Sequence, residues 1–158
     1  MKKGGISDLL IYVISAELAG AVSALLAGDF SGFFVTYKAP PLLPPPWLFV
    51  VVWVILYALM GVSAYIVHSS GAEDSKRALT LYWVQLFVNF CWSIIFFRFE
   101  ALWFAVIAVI LLLALVFAMV ICFRRINRVA GNINIPYLLW VSFASYLTIA
   151  TALINSPQ

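Results

Sequence analysis

Five runs of apolar residues, each about twenty long, take up nearly the whole of this chain and leave it few ways to fold. They extend from Ile6 to Ala27, Trp47 to Val67, Leu79 to Phe97, Ala101 to Phe123 and Asn134 to Ile154. A run of that length crosses the hydrocarbon layer of a bilayer as one α-helix, because every backbone N–H and C=O must find its partner inside the segment. The runs are continuous rather than alternating, which argues against barrel strands. Of the 158 residues, 66% are hydrophobic and 9% charged, so nothing remains for a separate soluble domain. The expectation is an all-α integral membrane protein: one domain over residues 1–158, a bundle of five transmembrane helices, with a proline-rich loop between the first and the second.

The net charge of +3 comes from nine lysines and arginines scattered over the connections. No basic stripe forms, so nucleic acid is not an expected partner; the lipid bilayer is. The charges instead set orientation. The N-terminus (Lys2, Lys3), the second connection (Lys76, Arg77) and the fourth (Arg124, Arg125, Arg128) hold seven; the first (Lys38), the third (Arg98) and the C-terminus hold two. By the positive-inside rule the N-terminus faces inward and the C-terminus outward. Lys2 and Lys3 followed by an apolar run also resemble a secretory signal with an Ala19–Ala21 cleavage pattern. Glu17 interrupts that run and hydrophobicity resumes through Leu26, so the first span is expected to stay in the protein. Without an Arg- and Ser-rich leader, the chain is expected in a bacterial cell membrane.

Signatures of catalysis or metal binding are not found. Cys91 and Cys122 fall inside spans, as small buried hydrophobes do. His68, the sole histidine, stands at a span end without Cys, His or carboxylate at ligand spacing, so no metal and no cofactor are expected. Glu17, near the middle of the first span, is an intramembrane carboxylate with no basic residue at matching depth. It is either a proton or ligand partner or, the preferred reading, a protonated side chain facing the bundle. On the same helix, Ala16, Gly20 and Ala24, with Ala19, Ser23 and Ala27, permit close helix contact within the bundle or between the protomers of a homodimer.

A hydrophobic small molecule is the other expected partner. Gln85, Asn89 and Trp92 share one face of the third span, and amides are too costly to point at lipid. They either glue helices together or contact a ligand. Trp53 and Tyr57 lie one turn apart on the second span, and Tyr137, Trp140, Ala144 and Leu147 recur at helical spacing on the fifth. Should these faces converge, they enclose an aromatic chamber suited to a flat apolar ligand. Trp47 and Trp103, at span ends, suit the membrane interface. The segment from Gly28 to Pro46 is the only long connection, and its prolines stiffen it as a lid would be stiffened.

The stretch FFVTYKAPPLLPPPWLFVVVWVILYALMG resembles the signature of the TspO/MBR family, also known as translocator proteins or tryptophan-rich sensory proteins. Pro40, Pro44, Pro45, Trp47, Phe49, Val52, Trp53, Leu56, Tyr57, Met60 and Gly61 match its pattern. QLFVNFCWSIIFF, from Gln85 to Phe97, and PYLLWVSFA, from Pro136 to Ala144, resemble two further family blocks in the same order. The resemblance covers about residues 33–155. It implies a five-helix bundle, often dimeric, that binds porphyrins such as protoporphyrin IX and benzodiazepine- or isoquinoline-type compounds. The implied ligand residues are Trp53, Tyr57, Asn89, Trp92, Trp140, Ala144 and Leu147, joined by Gln85 and Tyr137 from the spacing above. The implied lid comprises Phe34, Lys38, Pro40, Pro44, Pro45 and Trp47, with Lys38 as a propionate partner.

Two alternatives come with the resemblance. One is light-dependent porphyrin breakdown involving Trp53 or Trp140; the other is a scaffold or exporter with no specific ligand. The chain also departs from the pattern. Phe33 and Phe34 stand where the family has Trp-Tyr, Ala39 replaces a lysine and Leu42 a tryptophan. The sterol-recognition pattern of animal members breaks after Tyr146, where no basic residue follows, so sterol is not an expected ligand.

Overall fold

The computed structural model describes residues 4–156, and Lys2 and Lys3 lie outside the described residues. Among the described residues there are seven α-helices: α1 Ile6–Ala27, α2 Phe30–Thr36, α3 Pro46–Ser69, α4 Ser75–Ser93, α5 Leu102–Ile126, α6 Arg128–Ile133 and α7 Ile135–Asn155. Among the described residues, five helical segments are long and apolar enough to cross a membrane, the first running through α2 and the last including α6. The chain is an integral membrane protein of the expected all-α class.

The distribution of side chains is that of a protein dissolved in lipid. Leu25 is 82% exposed, and Leu111, Phe104 and Leu139 also face outward, whereas Gln85, Asn89, Ser63, Thr148 and Thr151 are buried. Apolar side chains gain nothing by leaving hydrocarbon, so the interior collects small residues and polar groups that find partners there. The Thr148 and Thr151 hydroxyls donate to the carbonyls of Ala144 and Leu147, four residues back, at 2.8 and 2.7 Å. The α1–α3 seam depends on a missing side chain: a Cβ on Gly61 would come within 2.5 Å of the Val13 Cα.

The helices form a ring. α1 packs on α3 and α4, α4 on α5, and α5 on α7, while α3 and α7 touch only lightly. Aromatic rings fill the space between those two. Trp53 lies 6.2 Å from Tyr137 and 6.5 Å from Trp140, and Phe49 lies 5.9 Å from Trp140.

The connections depart from the sequence-based expectation in three places. The first is not one extended loop, because α2 forms inside it. The Asp29 carboxylate accepts from the Ser31 N–H at 2.9 Å, and Phe33 packs on Phe96 at 4.9 Å, so a local cap and a tertiary contact together stabilise a short helix. The fourth likewise contains α6, capped by Asn127, whose Oδ1 accepts from Val129 and Ala130 at 2.8 and 3.2 Å. Third, α4 runs on as one π turn, Ile94–Arg98, in which Phe99 N–H donates to the Ile94 carbonyl at 3.0 Å. Such wide turns cluster at functional sites.

Candidate functional site

A cavity of about 380 Å³ opens between α1, α3, α4 and the π turn. Its floor and walls are aromatic: Phe49, Trp53 and Tyr57 from α3, Trp92 from α4 and Phe97 from the π turn. α1 supplies the opposite wall, where Gly20, Ala24 and Ala27 leave room and Glu17 adds a carboxyl. The space exists because α1 presents small residues to large ones. A Cβ on Gly20 would collide with the Tyr57 ring, so this glycine lets α1 approach α3. The indoles of Trp53 and Trp92 stand 6.2 Å apart, and Trp53 stacks on Tyr57 at 5.5 Å.

Behind the aromatic wall runs a chain of polar groups that fixes one amide. The Gln85 Nε2 donates to the Met60 sulfur at 3.5 Å, which turns the Gln85 Oε1 toward Tyr137. The Tyr137 hydroxyl donates its only proton there, at 2.6 Å. It can therefore only accept from Asn89, whose Nδ2 donates at 3.2 Å. The Asn89 Oδ1 is left without a partner, as is the Trp92 Nε1, and both residues line the cavity. A buried acceptor and a buried donor beside an apolar void are costly unless something fills it. Ser23 and Ser93, also on the wall, bond to each other.

The candidate residues divide into two groups. Trp53, Tyr57, Asn89 and Trp92 stand on the wall. Gln85 and Tyr137 lie one layer behind it, in the polar chain. Trp140 touches Trp53 and Phe49 from the α7 side with its Nε1 unpartnered, while Ala144 and Leu147 are buried within α7; none of the three lies on the wall.

The lid candidates stand apart from this cavity. Phe34 packs on Phe30, which does line it, at 5.4 Å. Pro40 and Pro44 are buried, Pro45 precedes α3, and Trp47 is 67% exposed. The proline segment is strapped to α7 and the third connection. The Lys38 N–H donates to Asn155 Oδ1 at 2.8 Å, Asn155 Nδ2 donates to the Lys38 carbonyl at 3.0 Å, and the Tyr146 hydroxyl donates to the Pro41 carbonyl at 3.1 Å. Tyr37 donates to the Glu100 carboxylate at 2.8 Å, and that hydrogen bond, with lesser help from burial and the nearby charge, raises the phenol above its ordinary range.

Gly20, Phe30, Phe49 and Phe97 belong to the cavity although their types and spacing gave no functional signal. Glu17 did give one, and the structure puts it on the wall. A single clue was available: Glu17, Gly20 and Ala24 repeat at helical spacing on one face of α1.

The comparisons with known proteins agree with this architecture. The TspO/MBR family model matches residues 10–154. Protein CrtK of Rhodobacter capsulatus is 33% identical over 150 residues, covering 94% of this chain and 92% of that one. The tryptophan-rich protein TspO of Archaeoglobus fulgidus is 32% identical over 151 residues, with 89% and 97% covered. The human translocator protein is 27% identical over 128 residues, with 79% and 76% covered.

Proposed function

The chain belongs to the TspO/MBR family, and on that premise we propose that it is a membrane binding protein for flat hydrophobic ligands, of the porphyrin and the benzodiazepine or isoquinoline types. What carries the reading is a cavity walled by aromatic faces, two of whose lining residues, Asn89 and Trp92, each hold a buried polar atom without a partner. A volume of about 380 Å³ falls in the size class of small-molecule sites. Burying about 300 Å² of apolar ligand surface is worth about 7 kcal/mol at ~25 cal/mol per Å², before ordering costs. Affinity in the micromolar range follows from about that much free energy.

The chain of residues from Met60 to Asn89 acts as a positioning device. It fixes the Asn89 side chain, so this part of the wall is set before the ligand arrives. Trp53 and Trp92 supply the stacking surface. Seven of nine basic residues on one side support an orientation with the N-terminus inside.

The test is quenching of tryptophan emission by protoporphyrin IX with the protein in lipid nanodiscs. A saturable curve, competed by an isoquinoline carboxamide, is expected; a linear response equal to that of empty discs would refute the reading. The close grouping of the Trp53, Trp92 and Trp140 indoles favours a second reading, light-dependent porphyrin breakdown. Under illumination, bleaching no faster than that of porphyrin in empty discs would eliminate it.

A further inference from the structure

The cavity wall is one-sided in its chemistry. Its single charged group is Glu17, and no lysine, arginine or histidine shares the lining. The neighbouring Asn89 gives one of its two amide N–H groups to Tyr137, and its Oδ1 is buried without a partner. Against these stand neutral donors only, the Tyr57 hydroxyl and the Trp92 indole N–H. A carboxyl held at mid-membrane depth is costly without a donor to meet it, and the wall supplies no basic one.

We propose that this cavity selects flat aromatic ligands that carry an N–H group, above all a protonated ring or amino nitrogen, and that Glu17 is the acceptor that selects them. The proposal rests on the reading of the cavity as a ligand site, and names the chemistry that site prefers. The rings stack on Trp53 while the nitrogen-borne hydrogen turns toward α1. Glu17 reaches the same space as Tyr57 because it lies one turn before Gly20, the residue at which α1 meets the Tyr57 ring. An anionic group has no counter-charge on this wall and is expected to be turned toward the mouth.

Two three-ring probes of equal outline test this: 9-aminoacridine, cationic and rich in N–H, and anthracene, neutral and without it. Each is titrated by energy transfer from tryptophan into full-length protein in phosphatidylcholine nanodiscs, with empty discs subtracted. Glu17→Gln is expected to weaken 9-aminoacridine at least ten-fold and Glu17→Leu at least as much, while anthracene stays within two-fold of the wild type. Unchanged anthracene binding also shows that each variant is folded. Loss of both probes in equal measure, or of neither, overturns the role of Glu17 and leaves the cavity as a ligand site. Failure of either probe to saturate the wild type overturns the ligand-site reading and this inference with it.

Discussion

The seam between α5 and α7 and the space between α1, α3 and α4 both carry polar groups among apolar ones, and they end in opposite states. Along α7, Ser145, Thr148 and Thr151 each return a hydroxyl proton to a carbonyl of their own helix, and α5 closes on them with Val109, Val116 and Met119 fully buried. Those three hydroxyls need no partner from outside. Between α1, α3 and α4, Asn89 gives an N–H to Tyr137, while its Oδ1 and the Trp92 Nε1 stay buried without a partner. The difference lies in the side chains themselves: a hydroxyl can be satisfied within one helix, whereas an amide with four hydrogen-bonding positions needs several neighbours. The seam is thus designed for packing, and the void for a guest.

The contrast can be broken experimentally. The largest effect is expected from Trp53→Ala, which removes the main stacking surface. Ligand affinity should fall by about 2–3 kcal/mol, roughly 30- to 150-fold, as read by porphyrin titration. Ala144→Leu, in the α7 seam behind the wall, should disturb stability before affinity; equal losses of affinity in the two variants would erase the distinction.

Next in size is Gly61→Ala. With a Cβ driven to about the Val13 backbone, α1 must move off α3, and overpacking of this kind costs about 1–3 kcal/mol. Thermal unfolding in detergent measures it, and an unchanged midpoint would show that α1 is not seated as described.

A matched pair sharpens the comparison further. Tyr137→Phe strands the Asn89 Nδ2 and the Gln85 Oε1 together, at a cost of about 1–3 kcal/mol with weakened ligand binding. Thr148→Val removes a hydroxyl whose acceptor keeps its helical bond, and should cost about 0.6 kcal/mol or less. Chemical denaturation of the two variants side by side reads the difference, and the reverse order would contradict it.

The smallest effect is confined to the strap. Because the Glu100 hydrogen bond raises the Tyr37 phenol, its contribution is fully present below the ordinary tyrosine range and fades as pH rises through the higher folded value. Tyrosinate absorbance should show one phenol fewer ionising late in Glu100→Gln than in the wild type, and hydrogen exchange around Lys38 should quicken only at strongly alkaline pH. An identical titration in both proteins would remove Glu100 as the cause.

Much of this protein is local and therefore legible. Five helices follow from run length alone, since a backbone in hydrocarbon must bond to itself within the segment. α1 occupies the same residues, Ile6 to Ala27, in structure and sequence reading. The amide face of α4 is legible for a related reason: Gln85 and Asn89 cannot be left in lipid, so they turn inward wherever the helix sits. α2 and α6 escaped notice because each has fewer than eight residues and relies on a single cap and on tertiary contacts that no short-range pattern announces.

The cavity itself was decided by the tertiary structure. Helical spacing states which residues share a face, but the rotation and approach of each helix depend on contacts between residues far apart in the chain, such as Gly20 with Tyr57 and Gly61 with Val13. Those contacts brought Glu17 and Phe97 to the wall, placed Tyr137 behind it and kept Ala144 and Leu147 away. Segment hydropathy thus set what crosses the membrane, because that energy is paid residue by residue in lipid. Packing between helices set where the space lies, because a void is a property of surfaces that meet only after folding.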